Sequence, residues 1–392
     1  MRPLDGITVI SLEQAVAAPF ASRQLADLGA RVIKIERPGA GDFARDYDRT
    51  VKGLCSHFVW LNRSKESLTL DVKQREAREI LGKLIARADV FIQNLAPGAA
   101  GRLGLAADAL MEKHPRLVVC DISGYGDTGP YAHKKAYDLL VQSETGVLSI
   151  TGTPDTPSKV GISIADIATG MYAYSGILTA LLQREKSGRG GRVEVTMFEA
   201  LGEWMSYPLL YAHFGGKAPP RTGRDHATIV PYGGHRAGDG GNVMLGLQNE
   251  REWATLCDKV LGQPELAADP RYDSNSRRVE RRAEVTALIE KAFSGMTTAE
   301  VVAKLDAAGI ANARINTPDE VWDHPQFAAR NRWREFGSPV GPLPAPLPPA
   351  TISGFEARMD PLPAVGEHTE RILRELGYGA GDIEALRAGG AV

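Results

Sequence analysis

The sequence predicts an α/β protein with a mostly parallel sheet, joined to a smaller α+β region. Three observations predict it. Short β-branched runs alternate with helix-length segments through the first third, the spacing that right-handed βαβ crossovers need. A long apolar helix and another strand extend that alternation to about residue 213. Past the breaker Gly215–Pro220 the texture changes to turn-rich strands and charged helices.

In order, Ile7–Leu12 (ITVISL) reads as a strand, followed by the small-residue loop Glu13–Ala18. A helix begins at Pro19, a residue favoured at the first helical position, and Gly29 stands where a helix-ending glycine would. Arg31–Glu36 is the second strand, Gln74–Arg87 a charged helix, and Asp89–Gln93 and Arg116–Ile122 further strands. A long helix spans Ile167–Glu185. The turn Ser187–Gly191, the strand Arg192–Met197 and an apolar helix to His213 come next. Short strands within Thr228–Gly246 precede the helices Glu250–Leu261, Arg277–Phe293 and Thr298–Ala308. The stretch Ser338–Pro363 carries eight prolines and suits an extended strap, since proline donates no backbone hydrogen bond. Glu367–Leu376 and Asp382–Ala388 close the chain as helices.

Composition narrows the function classes. With 392 residues, the chain suits one large domain or two ordinary ones. Its 43% hydrophobic and 24% charged residues exclude a disordered, collagen-like or coiled-coil chain. A formal charge of −2 gives no support to a nucleic-acid or membrane partner, though it leaves room for a local basic pocket. The absence of an early apolar run, interrupted by Asp5 and Glu13, predicts a cytoplasmic protein. Cys55, Cys120 and Cys257 stand too far apart for a disulfide framework, and Cys120 reads as packing material. The eight histidines show no metal-ligand spacing, so no metal site is expected. Glycine is in excess, at 42 residues, which points to tight turns or close backbone approach to a ligand.

Several residues carry candidate chemistry. Gly124–Gly129 (GYGDTG) matches a dinucleotide-binding pattern after a strand, but Pro130 and His133–Lys135 follow where a helix should open. The first strand-to-helix turn, Gln14–Pro19, offers free N–H groups and the positive end of a helix, suited to an oxyanion. Asp166 opens the long apolar helix. It reads either as an N-cap or as a reactive carboxylate that the helix dipole keeps ionised. Lys34, Arg37, Lys73, Arg102 and Lys135 fall at strand and turn ends, where each reads as a solvated charge or as part of a phosphate site. No G-x-S-x-G nucleophile elbow is present.

Taken together these segments resemble the family III CoA-transferases, which include carnitine-dehydratase-like and formyl-CoA-transferase-like proteins and α-methylacyl-CoA racemases. The motifs run in order: DLGARVIKIERPGAGD at 27–42, LNRSKESLTLDVK at 61–73, ADVFIQNLAPG at 88–98 and RLGL at 102–105. SGYGDTGP at 123–130, AYD at 136–138, D-x-x-T-G at 166–170 and GRGGRVEVTMFEA at 188–200 complete the series. The resemblance implies a Rossmann-like large domain built from both chain ends, 1–214 and 330–392, and a small domain at 222–325. The 338–363 strap would return to the large domain, and two chains would interlock as a homodimer. It also implies an enzyme that uses CoA thioesters as substrates and holds no tightly bound cofactor.

By the same resemblance Asp166 is the nucleophile, attacking an acyl-CoA thioester to give a mixed anhydride and then an aspartyl-CoA thioester. Gln14 and Ala15 would lie beside the thioester. Arg37, Leu70, Lys73, Asn94, Arg102, Lys135, Tyr137 and Asp138 would contact CoA. Leu95-Ala96 departs from an aromatic-polar pair found in some members. Tyr137 stands where racemases carry a histidine, and with an ordinary pKa near 10 tyrosine makes a poor base, which favours transfer over racemisation. The stretch Arg221–Gly234 resembles that of transferases using succinyl-CoA with small C4–C5 dicarboxylates such as itaconate, mesaconate or citramalate. Within it Arg224 and His226 are candidates for the second carboxylate, or else parts of a turn. A non-catalytic CoA-binding protein and a nicotinamide-dependent oxidoreductase are the alternatives from other classes.

Overall fold

The computed structural model describes residues 1–392, which fold into two compact units. The first comprises Met1–Val147, Val160–Tyr207 and Arg330–Val392. Six strands form its sheet: β1 (Thr8–Leu12), β2 (Arg31–Glu36), β3 (Lys65–Thr69), β4 (Val90–Gln93), β5 (Val118–Ser123) and β6 (Arg192–Thr196). All pair in parallel, in the order β3-β2-β1-β4-β5-β6. The chain therefore steps outward from β1 to β3 and returns to lay β4 on the other side of β1. At that reversal the loops after β1 and β4 part to opposite faces, and ligands of open parallel sheets bind in the crevice left at the strands' carboxyl ends.

Side-chain alternation explains why these runs are apolar throughout. Ile10 and Leu12, Ile33 and Ile35, Phe91 and Val119 face one way, against Ile80, Leu81 and Leu84 of the helix Arg75–Ile85 and against Ile372, Leu373 and Ile383 near the C-terminus. Val9, Val32, Val90, Ile92, Val118 and Cys120 face the other way. There they meet Ala21 and Leu25 of α1 (Ala17–Asp27) and Ala168, Ala173 and Ile177 of the crossover helix Ile164–Ser187. Cys120 is fully buried in this layer, as the sequence implies. Strand β3 is the one the apolar pattern misses, because KESLT opens with two charges. Both charges have partners: Lys65 reaches Glu13, and Glu66 pairs with Arg31.

The proline-rich stretch contributes one short strand, Leu343–Pro346, paired antiparallel with Trp333–Phe336. Phe336, Leu343 and Leu362 pack there with Cys55 and Phe58. Several boundaries differ from the pattern-based reading. Helix α1 begins at Ala17, which makes Pro19 its third residue, and the helix expected over Arg277–Phe293 is two, Asn275–Glu280 and Arg282–Phe293. The long helix starts three residues earlier, at Ile164, and the apolar helix ending near His213 is two, Met197–Trp204 and Ser206–Gly215.

The second unit comprises Leu148–Lys159 and Pro208–Ala329. The stretch 148–159, which the sequence reading runs into the larger domain, groups with this unit. Its antiparallel sheet is β7 (Tyr232–Arg236), β8 (Asn242–Gly246) and β9 (Asn312–Arg314). Trp253, Leu256, Val285, Ile289, Phe293, Val301 and Leu305 build its core. No helix of the chain is long and apolar enough to cross a membrane.

Candidate active site

The turn between β1 and α1 is held from several sides. Ala15 has a φ of 63°, a left-handed conformation that costs a residue with a Cβ about 1–2 kcal/mol. Its N–H donates to Asp42 Oδ1 at 3.2 Å. The Gln14 N–H donates to Asn94 Oδ1 at 2.9 Å, and Asn94 Nδ2 donates back to the Gln14 carbonyl at 2.9 Å. Since Gln14 follows β1 and Asn94 follows β4, this two-way clamp sits at the reversal of strand order. The first N–H groups of α1, at Ala17 and Ala18, lack intrahelical acceptors and so remain available as donors.

Beneath the turn lies a buried ionic cluster. Lys65 Nζ donates to Glu13 Oε1 at 2.7 Å, and Lys34 Nζ lies 3.4 Å from the same oxygen and 2.7 Å from Asp42 Oδ2. Ser11 and Ser22 hydroxyls each donate to Glu13 Oε2 at 2.6 Å. Burial alone would raise the Glu13 pKa, but the two ammonium groups outweigh it and hold the carboxyl down to about 2. Lys34 is wholly buried, which corrects its reading as a solvated charge or phosphate ligand. Its position at the interior of β2 takes it under the turn.

Asp166 is the third residue of the helix Ile164–Ser187, here α2. Gly170, one turn further on, explains how that helix comes so close to α1. A Cβ at Gly170 would lie 2.7 Å from the Ala17 carbonyl oxygen and 2.9 Å from the Phe20 ring. The Thr169 hydroxyl donates to the Ala165 carbonyl at 2.6 Å, tying the same turn together. The D-x-x-T-G motif thus presents Asp166 at the head of α2, whose next turn packs on the first turn of α1.

The expectation that helix N–H groups keep Asp166 ionised is not met. The N–H groups of Ala165 and Asp166 both donate to Asp138 Oδ1, at 2.7 and 3.2 Å, so a carboxylate 27 residues before Ala165 caps this helix. The Asp166 carboxylate receives no hydrogen bond from the chain. Burial, with the nearby Asp138 charge, pushes its pKa up to about 7. It is neither cap nor salt-bridge partner.

Asp138 is positioned by the glycine-rich turn. A Cβ at Gly124 would stand 2.3 Å from the Ala136 Cβ, so the first glycine of GYGDTG lets the AYD segment pack against it. Gly126 and Gly129 adopt positive φ, so turn geometry and this close approach account for the glycines without a dinucleotide. Tyr47 is the site residue that sequence reasoning misses. It is 49% exposed, and its partial burial with the charges of Asp42 and Asp166 raises its hydroxyl to about 12, so it stays neutral in the field of Asp166. Nothing in the FARDY context marks it in advance.

The remaining candidates follow the carboxyl ends of the strands. Arg37 follows β2, Leu70 follows β3 and Asn94 follows β4. Arg37, Lys73, Arg102 and Lys135 are exposed, and none of their side chains is committed to an ion pair. Tyr137 is 66% exposed. Leu70 differs: its side chain is buried in the core, leaving only backbone to offer a ligand. Arg224 and His226 belong to the second unit. The His226 ring stacks on Tyr232 at 5.3 Å and its Nδ1 accepts from the Thr228 N–H, so it serves its own turn. Arg224 is exposed, lies over Gly234 and makes no ion pair.

Comparison with known proteins agrees with this architecture. The family model described as CoA-transferase family III matches residues 4–369. Succinyl-CoA:glutarate CoA-transferase of Mus musculus is 34% identical over 397 residues, covering 100% of this chain and 91% of that one. Acetyl-CoA:oxalate CoA-transferase of Acetobacter aceti is 37% identical over 356 residues, 90% of each chain. A crystal structure of a CAIB/BAIF family protein from Brucella suis superposes with a TM-score of 0.84 at 34% identity, covering 96% of this chain and 99% of that one. The chain belongs to the family III CoA-transferases.

Proposed function

We propose that this enzyme moves CoA from succinyl-CoA to a small C4–C5 dicarboxylate, with itaconate, mesaconate, citramalate and glutarate as the acceptors to test, through covalent intermediates on Asp166. One observation carries the reading: an unbonded carboxylate, held by the close packing of Gly170 on α1, beside a clamped turn at the sheet's switch point. The glutarate- and oxalate-using relatives support a dicarboxylate acceptor.

In this mechanism Asp166 attacks the thioester carbonyl carbon, the C–S bond breaks, and CoA leaves as thiolate with a mixed anhydride on the enzyme. The thiolate attacks the aspartyl carbonyl, releasing succinate and leaving an aspartyl-CoA thioester. The acceptor carboxylate then displaces the thiolate to form a second anhydride. Attack of the thiolate on the acceptor's carbonyl gives the new thioester and frees Asp166. No proton is consumed overall. Each tetrahedral oxyanion needs donors in place, and the uncommitted N–H groups of Ala17 and Ala18 at the start of α1 fill that role, with Gln14 and Ala15 shaping the turn beside the thioester. Arg37, Lys73, Arg102 and Lys135 supply uncommitted positive charge for the phosphates of CoA, with Tyr137 and the backbone at Leu70 as further contacts.

Arg224, uncommitted and exposed, is the candidate for the acceptor's far carboxylate; His226 serves its turn. We also propose an interlocked homodimer. Exposed Leu139, Leu140, Leu182, Phe198 and Trp204 on the first unit support burial against a second copy. Three unpaired cysteines suit a reducing cytoplasm.

Incubation with succinyl-CoA and a panel of free acids, followed by mass spectrometry, should yield a dicarboxylate thioester. Failure to exchange with every acid would contradict the proposal. Two further outcomes are expected. With Asp166 titrating near 7 in the free enzyme, kcat/KM for succinyl-CoA should rise with pH through that value. Asp138→Asn removes the like charge yet keeps an oxygen for the helix cap, so the rise should move to lower pH; an unmoved profile would clear Asp138 of that role. Gly170→Ala forces α2 away from α1, and a misplacement of about 1 Å costs roughly a hundred-fold in rate. Steady-state kinetics, with urea denaturation to confirm folding, would show it.

A further inference from the structure

Three potential metal ligands of different chemistry meet where the loop after Tyr47 enters the helix Ser56–Asn62. The carboxylate of Asp48, the thiol of Cys55 and the imidazole of His57 each place a ligand atom within 4.8 Å of the others. Cys55 Sγ is 3.4 Å from Asp48 Oδ2, and His57 Nδ1 is 3.9 Å from the same oxygen. In a tetrahedral zinc site, with bonds of about 2.0–2.3 Å, neighbouring ligand atoms stand roughly 3.3–3.8 Å apart. Side-chain movements of about 1 Å or less would therefore close the set on one ion.

Two observations separate this cluster from an ordinary turn. His57 Nδ1 is buried and has no hydrogen-bond partner, a condition that costs stability unless something satisfies the nitrogen. The Asp48 carboxylate is also fixed in orientation: Oδ1 accepts the Thr50 and Ser56 N–H groups at 2.9 and 3.1 Å, and Oδ2 accepts the Ser56 hydroxyl at 2.7 Å. Bonds of this kind orient ligating carboxylates. Turn formation explains the Ser56 contacts. The Cys55 thiol donates to Oδ2, and turn formation does not explain why a buried, unpaired imidazole nitrogen faces that same oxygen.

We propose that Asp48, Cys55 and His57 bind a thiophilic divalent cation of the zinc class. On binding, the Cys55 S–H bond breaks, its proton passes to solvent and a sulfur–metal bond forms, with no change of oxidation state. Three protein ligands leave a fourth position for water or another small donor. The Asp-x6-Cys-x-His spacing matches no established ligand pattern, which is why the sequence shows no such site.

Cobalt(II) titration of untagged, metal-free protein tests this without reference to transferase activity. One equivalent should bind, with thiolate-to-cobalt charge-transfer absorption that zinc competes away. Cys55→Ser should abolish that band. His57→Gln, at a partly exposed position, should weaken binding at least about ten-fold while circular dichroism and the urea midpoint stay unchanged. No saturable band in the wild type, or a band that survives Cys55→Ser, would overturn the proposal.

Discussion

Asp166→Asn is expected to lower the rate of CoA transfer by about four orders of magnitude or more, the scale seen when a covalent nucleophile is removed. The amide keeps the shape of the side chain but cannot form the anhydride. The same variant should gain stability. The Asp166 pKa rises from an ordinary 3.8 to about 7 on folding, so between those values the folded state holds a proton that the unfolded chain has released. Stability therefore falls as pH rises through that window, and the penalty is complete above about 7. Asparagine carries no such penalty. At pH 8 it should be more stable by about 1–3 kcal/mol, a figure discounted for solvent screening at this partly buried position, and the gain should vanish toward pH 4. Paired urea denaturations at the two pH values would check it, and a variant that stays active would exclude the covalent route.

Glu13→Gln is expected to destabilise the fold by about 3–5 kcal/mol, because removing one partner strands the opposite buried charges. Lys65 would keep only neutral acceptors, the Pro19 carbonyl and Asn62 Oδ1, and Lys34 would keep Asp42. The pH dependence has the opposite sign to that of Asp166. Glu13 titrates near 2 when folded against 4.5 ordinarily, so its contribution is full above about 4.5 and is lost as pH falls toward 2. The wild type should weaken across that acid window, and the glutamine variant should show a flatter acid limb. A loss below about 1 kcal/mol would mean that the cluster carries little of the stability assigned to it. Activity should fall with stability, since Asp42 links the cluster to the Ala15 N–H.

Much of this was legible before any coordinates. The strand at 31–36, the helix at 298–308 and the burial of Cys120 follow from local pattern, because apolar periodicity reports which side chains face a core. The ordered motifs identified the family and singled out Asp166. What stayed hidden depends on contacts distant in sequence. The clamp between Gln14 and Asn94 spans 80 residues, and it exists only because β4 returns beside β1. The helix cap from Asp138 reverses the expected titration of Asp166, and no local signal announces it. Lys34 reads from sequence as a solvated charge or phosphate ligand; Glu13, in a small-residue loop, draws it inward together with Lys65. Tyr47 has no pattern of its own and gains meaning only from its place near Asp166.

The central claim is that Asp166 carries acyl groups. Incubating the enzyme with succinyl-CoA, quenching with hydroxylamine and mapping peptides by mass spectrometry tests it most directly. The account predicts a hydroxamate at Asp166 that forms only when the thioester is present. An enzyme that exchanges CoA while Asp166 stays unmodified, or that acquires the hydroxamate at another residue, would contradict it.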